Sequence, residues 1–410
     1  MKYRLSLILV LAVSASGAAS KSLAIRAVNG DAAAVQSLRA MGQPGVDALL
    51  AIRNETDAKR LGPVIDTVCR QRDCTWSGLY WYTDLEEAKR VARRTNRPIL
   101  SLRLLGNLDE ELSCANSRYF RTLLYPNREI RAFLRANYVL HWQSVRAAPT
   151  ITIDFGGGRR MRRTITGNSI HYVLDAEGAV LDGIPGLYAP QAFLSLLRED
   201  AVLHRALMRF PTPEERFRKL AAYHGNVLYM ARWTWRSPFD RSNEYENTRA
   251  QRMAAWTSGN MAPTKSGGGE ATLLDRVSFD SRAFGLVSDL RHLLKDVVVG
   301  KKTIDDNARA LIFAKRAASS DPAVRSRKSS EKAIENLERT LAADTKINEQ
   351  RLHADIRRQL ASGEAGGGVD AFNDWVYAEI FRAPNDDPWM GLVSDASFTG
   401  IIGEGLFVAQ

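Results

Sequence analysis

The sequence of 410 residues predicts an α/β sandwich in its centre, flanked by a short helical segment before it and a mostly α-helical half after it. Two observations carry this. Between Trp76 and about residue 205, helical patterns alternate with short apolar runs that fit buried strands. Past Arg209 those runs stop, and helical patterns rich in Trp take over.

The elements follow in order. "MKYRLSLILVLAVSASGAAS" joins two early positive charges, Lys2 and Arg4, to an apolar run and then small residues. It reads as a secretory signal, cut after Ala19 or Ser20, so residues 1–20 are assigned to a leader. The run from Leu5 to Val13 is too short to span a bilayer, and no later stretch reaches the roughly 20 apolar residues of a transmembrane helix. No cysteine follows it to serve a lipid anchor. The expectation is an exported protein, periplasmic or secreted.

Residues 21–75 form the helical N-terminal segment: Leu38, Val46, Leu49, Leu50 and Ile52 lie on apolar stripes broken by Gly42, Pro44 and Gly45. One or two such units are too few for a repeat array. In "DLEEAKRVARRTN", Thr83 or Asp84 caps a helix with acids in its first turn and bases in its last. Pro98 stops it and "PILSLRLLG" reads as a buried strand. Helices from Asn116 to Leu124 and Asn127 to Ala136 come next, and "NYVLHWQSV" is a strand. "TIDFGGGRRMRRTIT" is a polar hairpin-like insertion. "SIHYVLDAEGAVLDGIPG" makes two strands around a turn at Glu177 and Gly178, and "APQAFLSLLRED" a closing helix. The central unit is set at 76–205 and the helical C-terminal domain at 206–410, with a flexible segment near 261–272 and helix from Ile304 to Leu360 interrupted near Ser319 to Pro322.

The residues of the central unit resemble the thioredoxin-like superfamily. "DLEEAKRVARRTNRPILSL" is similar to the entry helix and first central strand of its exported members, and "YVLDAEGAVLDGIPGLYAPQAFLSLL" to their closing hairpin and last helix. The resemblance covers about residues 76 to 200 and implies a fold rather than an activity.

The same resemblance directs attention to "SCANS". A dithiol site needs one thiol at a helix start and a second to resolve the mixed disulfide. Cys114 occupies the first position, but Ser117 stands where the resolving thiol belongs, and Ser169 where the family has a cis proline. Dithiol turnover from this motif alone is therefore not expected. The approach "GNLDEELS" is longer than the family's; Asp109, Glu110 and Glu111 oppose a thiolate, whereas the helix start, Arg118 and Arg121 favour one.

Several readings stay open at this level. Cys114 is either a single thiol that binds a thiol partner or a small core residue in a redox-silent binding module. An enzyme, a thiol-disulfide reductase or isomerase, requires Cys69 or Cys74 to reach it. Cys69 and Cys74 lie five apart, near enough for a local disulfide if the chain turns; otherwise all three thiols stay reduced. A metal set of Cys114, His141 and His171 is a further alternative to two ordinary core histidines. No cofactor is expected: "GGGRR" lacks the helix and Lys-Ser or Lys-Thr of a phosphate loop, and no Gly-x-Ser-x-Gly elbow occurs.

Trp233, Trp235 and Trp256 line either a groove or a core. The aromatics of "LYWYTDLEE" read as a staple and lid. The formal charge of +11 is spread along the chain, dense only in "RRMRR" (Arg159 to Arg163). It points to a solvated surface near an anionic envelope rather than to nucleic acid, with a polyanion site as the alternative. The expected partner is a protein or an envelope component.

Overall fold

The structure, a computed structural model, describes residues 18–164, 167–234, 304–363, 368–381 and 383–389. Residues 1–17 of the expected leader, the 261–272 segment, Trp235, Trp256 and the side chain of Trp233 lie outside the described residues.

Four N-terminal helices pack on one another: α1 (residues 18–28), α2 (Ala32–Ala40), α3 (Gln43–Ala51) and α4 (Ala58–Cys69). Asp31 caps α2 by accepting from Ala34 N at 3.0 Å, and Asp57 caps α4 by accepting from Lys59 N at 2.9 Å. At Gly45 a Cβ would fall 2.0 Å from the Leu38 carbonyl oxygen, so only glycine lets α3 close on α2. Ala24, Ala27, Leu38, Val46, Leu49, Leu61 and Ile65 form the apolar core of this unit. Arg70 ends α4 in the left-handed conformation and reverses the chain into a short turn, α5 (Cys74–Ser77).

The next helix, α6 (Leu85–Thr95), begins at Asp84, whose side chain accepts from Glu87 N at 2.7 Å, and ends at left-handed Asn96. Strand β1 (Ile99–Leu105) is buried at all its positions. Helix α7 (Ala115–Tyr119) continues through a wider turn at Phe120–Leu124, and α8 (Arg128–Asn137) is capped by Asn127. Together they form the crossover to β2 (Val139–Arg146), which runs parallel to β1. A separate two-stranded hairpin, β3 (Thr150–Asp154) and β4 (Arg160–Thr164), precedes β5 (Ser169–Leu174) and β6 (Val180–Pro185). Asp175 holds the turn between β5 and β6 by accepting from the backbone amides of Glu177 and Ala179, each at 2.9 Å.

The four-stranded sheet has the order β2-β1-β5-β6, with β5 antiparallel to both of its neighbours. The chain before α6 adds an extended piece along β2: Tyr82 N donates to Leu140 O at 2.8 Å and Trp142 N to Tyr82 O at 3.0 Å. "LYWYTDLEE" thus lies along the sheet, with Trp81 fully buried and its Nε1 donating to Gln71 at 2.8 Å.

Helix α9 (Pro190–Leu207) packs on β6 and α8, and α10 (Pro213–Thr234) leads away from it. After the undescribed stretch come α11 (Asp306–Ala317), α12 (Arg327–Ile347) and α13 (Ala354–Ser362), then α14 (Gly368–Trp375), which runs on through a wide turn at Val376–Ile380. The apolar core is continuous from Leu79 in the central unit to Ile334, Ile356, Phe372, Val376 and Phe381 in the C-terminal helices. Burying a side chain of this size stabilises by roughly 1.5–3 kcal/mol. The mixed sheet and the helices that follow it therefore hold each other in place. Among the described residues, no helix is long and apolar enough to cross a membrane.

Candidate functional site

Cys114 sits just beyond the end of β1. Gly106 N donates to Arg146 O at 2.7 Å and turns the chain with φ of +72°; a Cβ there would press within 3.2 Å of both Ala148 and Ser113. Glycine is thus needed where the loop folds back. After that loop Cys114 N donates to Leu105 O at 3.0 Å, which returns the cysteine to the strand end. Cys114 is the N-cap of α7, and its Sγ accepts from Ser117 N at 3.4 Å. The Ser117 hydroxyl lies 2.7 Å from Ser113 Oγ and 2.8 Å from the Cys114 carbonyl oxygen. It serves the loop as a short-range clasp.

The surroundings are closed. Cys114 has no exposed surface, and Leu105, Phe120, Tyr125 and Tyr377 belong to the same apolar core. Asn116 donates its side-chain amide to the Gly167 carbonyl, and Arg118 donates to Thr164 Oγ1 at 2.8 Å. From the C-terminal segment, Tyr377 Oη donates to Asn168 O at 3.2 Å, beside Ser169. Burial first, and then Cys114, push the phenols of both Tyr377 and Tyr125 well above their ordinary value. Ser169 opposes Leu104 on β1 and is buried, and its hydroxyl has no hydrogen-bond partner among the described residues. No cis peptide bond precedes it.

Charges that the sequence sets around the thiol are engaged elsewhere. Asp109 pairs with Arg70 at 3.6 Å, and Glu111 with Arg72 at 3.1 Å and Lys315 at 3.6 Å. Arg121 is buried and reaches Asp73 at 3.4 Å and the Glu111 carbonyl oxygen at 3.3 Å. Asp109, Glu111 and Arg121 thus each have a charged partner of their own.

Cys69 and Cys74 stand at disulfide distance, with Cα atoms 6.4 Å apart, inside the N-terminal helical core. Joined to each other, they offer Cys114 no resolving thiol.

The histidines do not assemble with Cys114. His141 pairs with Ser101 on β1 and His171 with the adjacent Leu102, so the two rings lie on opposite faces of the sheet. His141 Nδ1 is 2.8 Å from Ser101 Oγ, and His171 Nε2 is 2.8 Å from Tyr125 Oη, with Phe120 and Phe193 on its ring. Burial lowers both imidazoles to about 3. Cys114, His141 and His171 therefore make no metal set, and no cluster able to hold a metal occurs among the described residues.

A second buried polar group escaped sequence reasoning. Asp182 on β6 accepts from His353 Nε2 at 2.8 Å, and Arg357 lies 3.7 Å from its other oxygen. Burial opposes its charge, but His353 and Arg357 outweigh burial and hold the carboxyl well below the usual range. Asp200 on α9 faces it; burial and the Asp182 charge raise its carboxyl well above its ordinary value. His224 on α10 donates through Nε2 to Leu181 O at 2.8 Å. All of these residues are buried, so they tie β6, α9 and α10 to α13 rather than face a substrate. The only sequence signal was a set of polar residues at apolar helix positions, which periodicity alone does not pair.

A surface depression lined by Asp306, Arg309, Phe313, Arg327 and Glu331 contains none of the Cys114 residues. In comparisons with known proteins, no family model, curated protein or solved structure matches this chain.

Proposed function

We propose that this is an exported protein whose central unit is thioredoxin-like and acts as a redox-silent binding module for a protein or envelope component. The strand order β2-β1-β5-β6, its parallel first pair and its antiparallel hairpin support the thioredoxin-like reading. Export draws its support from the leader sequence: a cut after Ala19 or Ser20 leaves the buried Ala24 and Ala27 in the retained chain.

The observation that carries the silent reading is the complete burial of Cys114. An attacking thiolate needs access to a disulfide sulfur, and the Tyr377 segment lies beside this position. Differential alkylation tests it. Cys114 should stay unlabelled in the native protein and react once the chain is unfolded, while Cys69 and Cys74 appear in one disulfide-linked peptide. Fast native labelling, or mixed disulfides recovered through Cys114, would sink the reading.

One feature favours a second reading, a single thiol that captures a partner: the Ser117 amide already points at the sulfur and would stabilise a thiolate. That reading requires the closed surroundings of Cys114 to open. The reductase or isomerase alternative requires in addition a resolving thiol from another molecule, since Cys69 and Cys74 hold each other.

A further inference from the structure

The β3–β4 hairpin forms its own two-stranded sheet, separate from the four-stranded one, and its strands supply only Thr164 to the buried residues. Its base is fastened where Arg118 donates to Thr164 Oγ1. At the apex, Phe155 N donates to Arg159 O at 2.9 Å, and Gly156, Gly157 and Gly158 make the turn with positive φ. A Cβ added at any of these three glycines would meet nothing within 4 Å, so the apex stands in open space. Phe155, beside it, is 57% exposed. The ring thus lies outside both apolar cores of the chain.

The hairpin carries four arginines, Arg159, Arg160, Arg162 and Arg163, against one carboxylate, Asp154, which pairs with Arg160 at 2.9 Å. Their distribution over the two faces matters. The cross-strand register puts Arg160 and Arg162 on the face of Thr152 and Asp154, and Arg163 on the face of Ile151, Ile153 and Met161, while Arg159 stands at the turn. A linear polyanion is matched by cations along one face. Cations on every side of an apolar tip match a layer of anionic headgroups into which the tip dips, with the ring in the acyl boundary and the guanidinium groups among the phosphates.

We infer that the β3–β4 hairpin is a docking arm for an anionic lipid bilayer, with Phe155 as the inserting residue and the flanking arginines as the headgroup contacts. The arm is separate from Cys114, so this inference stands whether or not that site is redox-silent.

The test is sedimentation of the full purified chain with vesicles of phosphatidylcholine alone and of phosphatidylcholine mixed with phosphatidylglycerol. Binding should require phosphatidylglycerol and weaken with added salt. Phe155→Ser should lower partitioning about tenfold through lost apolar burial. Arg162→Gln with Arg163→Gln should lower it about 25-fold, at roughly fivefold for each charge. Unchanged circular dichroism and melting would show that the variants keep the fold, as expected for a hairpin outside the core. Three results would overturn the inference: no binding to either vesicle, equal binding to both, or binding that ignores the hairpin variants. Tight binding to heparin that needs the arginines but not Phe155, without vesicle binding, would assign the arm to a soluble polyanion instead.

Discussion

Two buried regions of this protein handle ionisable groups in opposite ways. In the apolar core that holds Cys114, buried groups are driven to their neutral forms: His171 is lowered to about 3, and the Tyr125 and Tyr377 phenols are raised. Around Asp182, burial is equally complete, yet the carboxylate keeps its charge because His353 and Arg357 come with it. Burial alone removes charge; burial with a partner preserves it and creates a dependence on that partner. The first region is a closed core around a buried thiol. The second is a tie between the sheet and the C-terminal helices.

The sharpest way to break this contrast is Asp182→Ala. It strands His353 and Arg357 in the interior, and urea denaturation should show a loss of about 3–5 kcal/mol. Asp200→Asn should do the reverse at neutral pH. Its carboxyl is held neutral in the fold, so its contribution falls as pH rises above about 3.9 and on through the raised value. An amide removes that decline, so the gain in urea midpoint of the variant over the parent should be larger at pH 8 than at pH 5.

Acid separates the regions by pH window. His171 and His141 are neutral in the fold down to about 3 and protonate near 6.5 when unfolded, so each lowers stability as pH falls below 6.5. The expected loss is about 2 kcal/mol per histidine by pH 5, and His171→Phe should abolish its share in a urea titration at that pH. Asp182, depressed in the fold, loses its contribution only below about 3.9. An acid melt with a single phase beginning below pH 4 would contradict the neutral histidines.

Smaller effects sharpen the picture. Replacing Cys69 and Cys74 by serine should cost about 2 kcal/mol, the value for so short a loop, with the loss confined to the N-terminal helices in hydrogen exchange. Tyr377→Phe removes the bond to Asn168 and should cost about 1 kcal/mol in a melt. If Tyr377 also seals Cys114, its alkylation should quicken in the same variant; an unchanged rate would place the seal elsewhere.

Much of the fold was legible because its signals are local. Asp84 and Asn127 announce helix starts with side chains that reach their own first turns, and Pro98 separates α6 from β1. Asp175 and Gly178 mark the turn between β5 and β6 in the same way. The cysteine pairing stayed open because it depends on whether the chain reverses after α4, and that rests on the backbone of Arg70, which its residue type does not announce. His141 and His171 looked equally placed for a metal in one dimension. Only the register, Ser101 against one and Leu102 against the other, sends them to opposite faces.

By itself, then, the sequence determined the caps, the strand periodicity and the turn between β5 and β6, since each is written in residues near one another in the chain. Only the tertiary structure decided that Cys114 is sealed, with Tyr377 bonded beside it from more than 200 positions away, and that Asp182 finds His353 across 171. Contacts at that separation arise when the whole core closes. No periodicity records them, because their energy comes from desolvation and pairing that exist only in the folded chain.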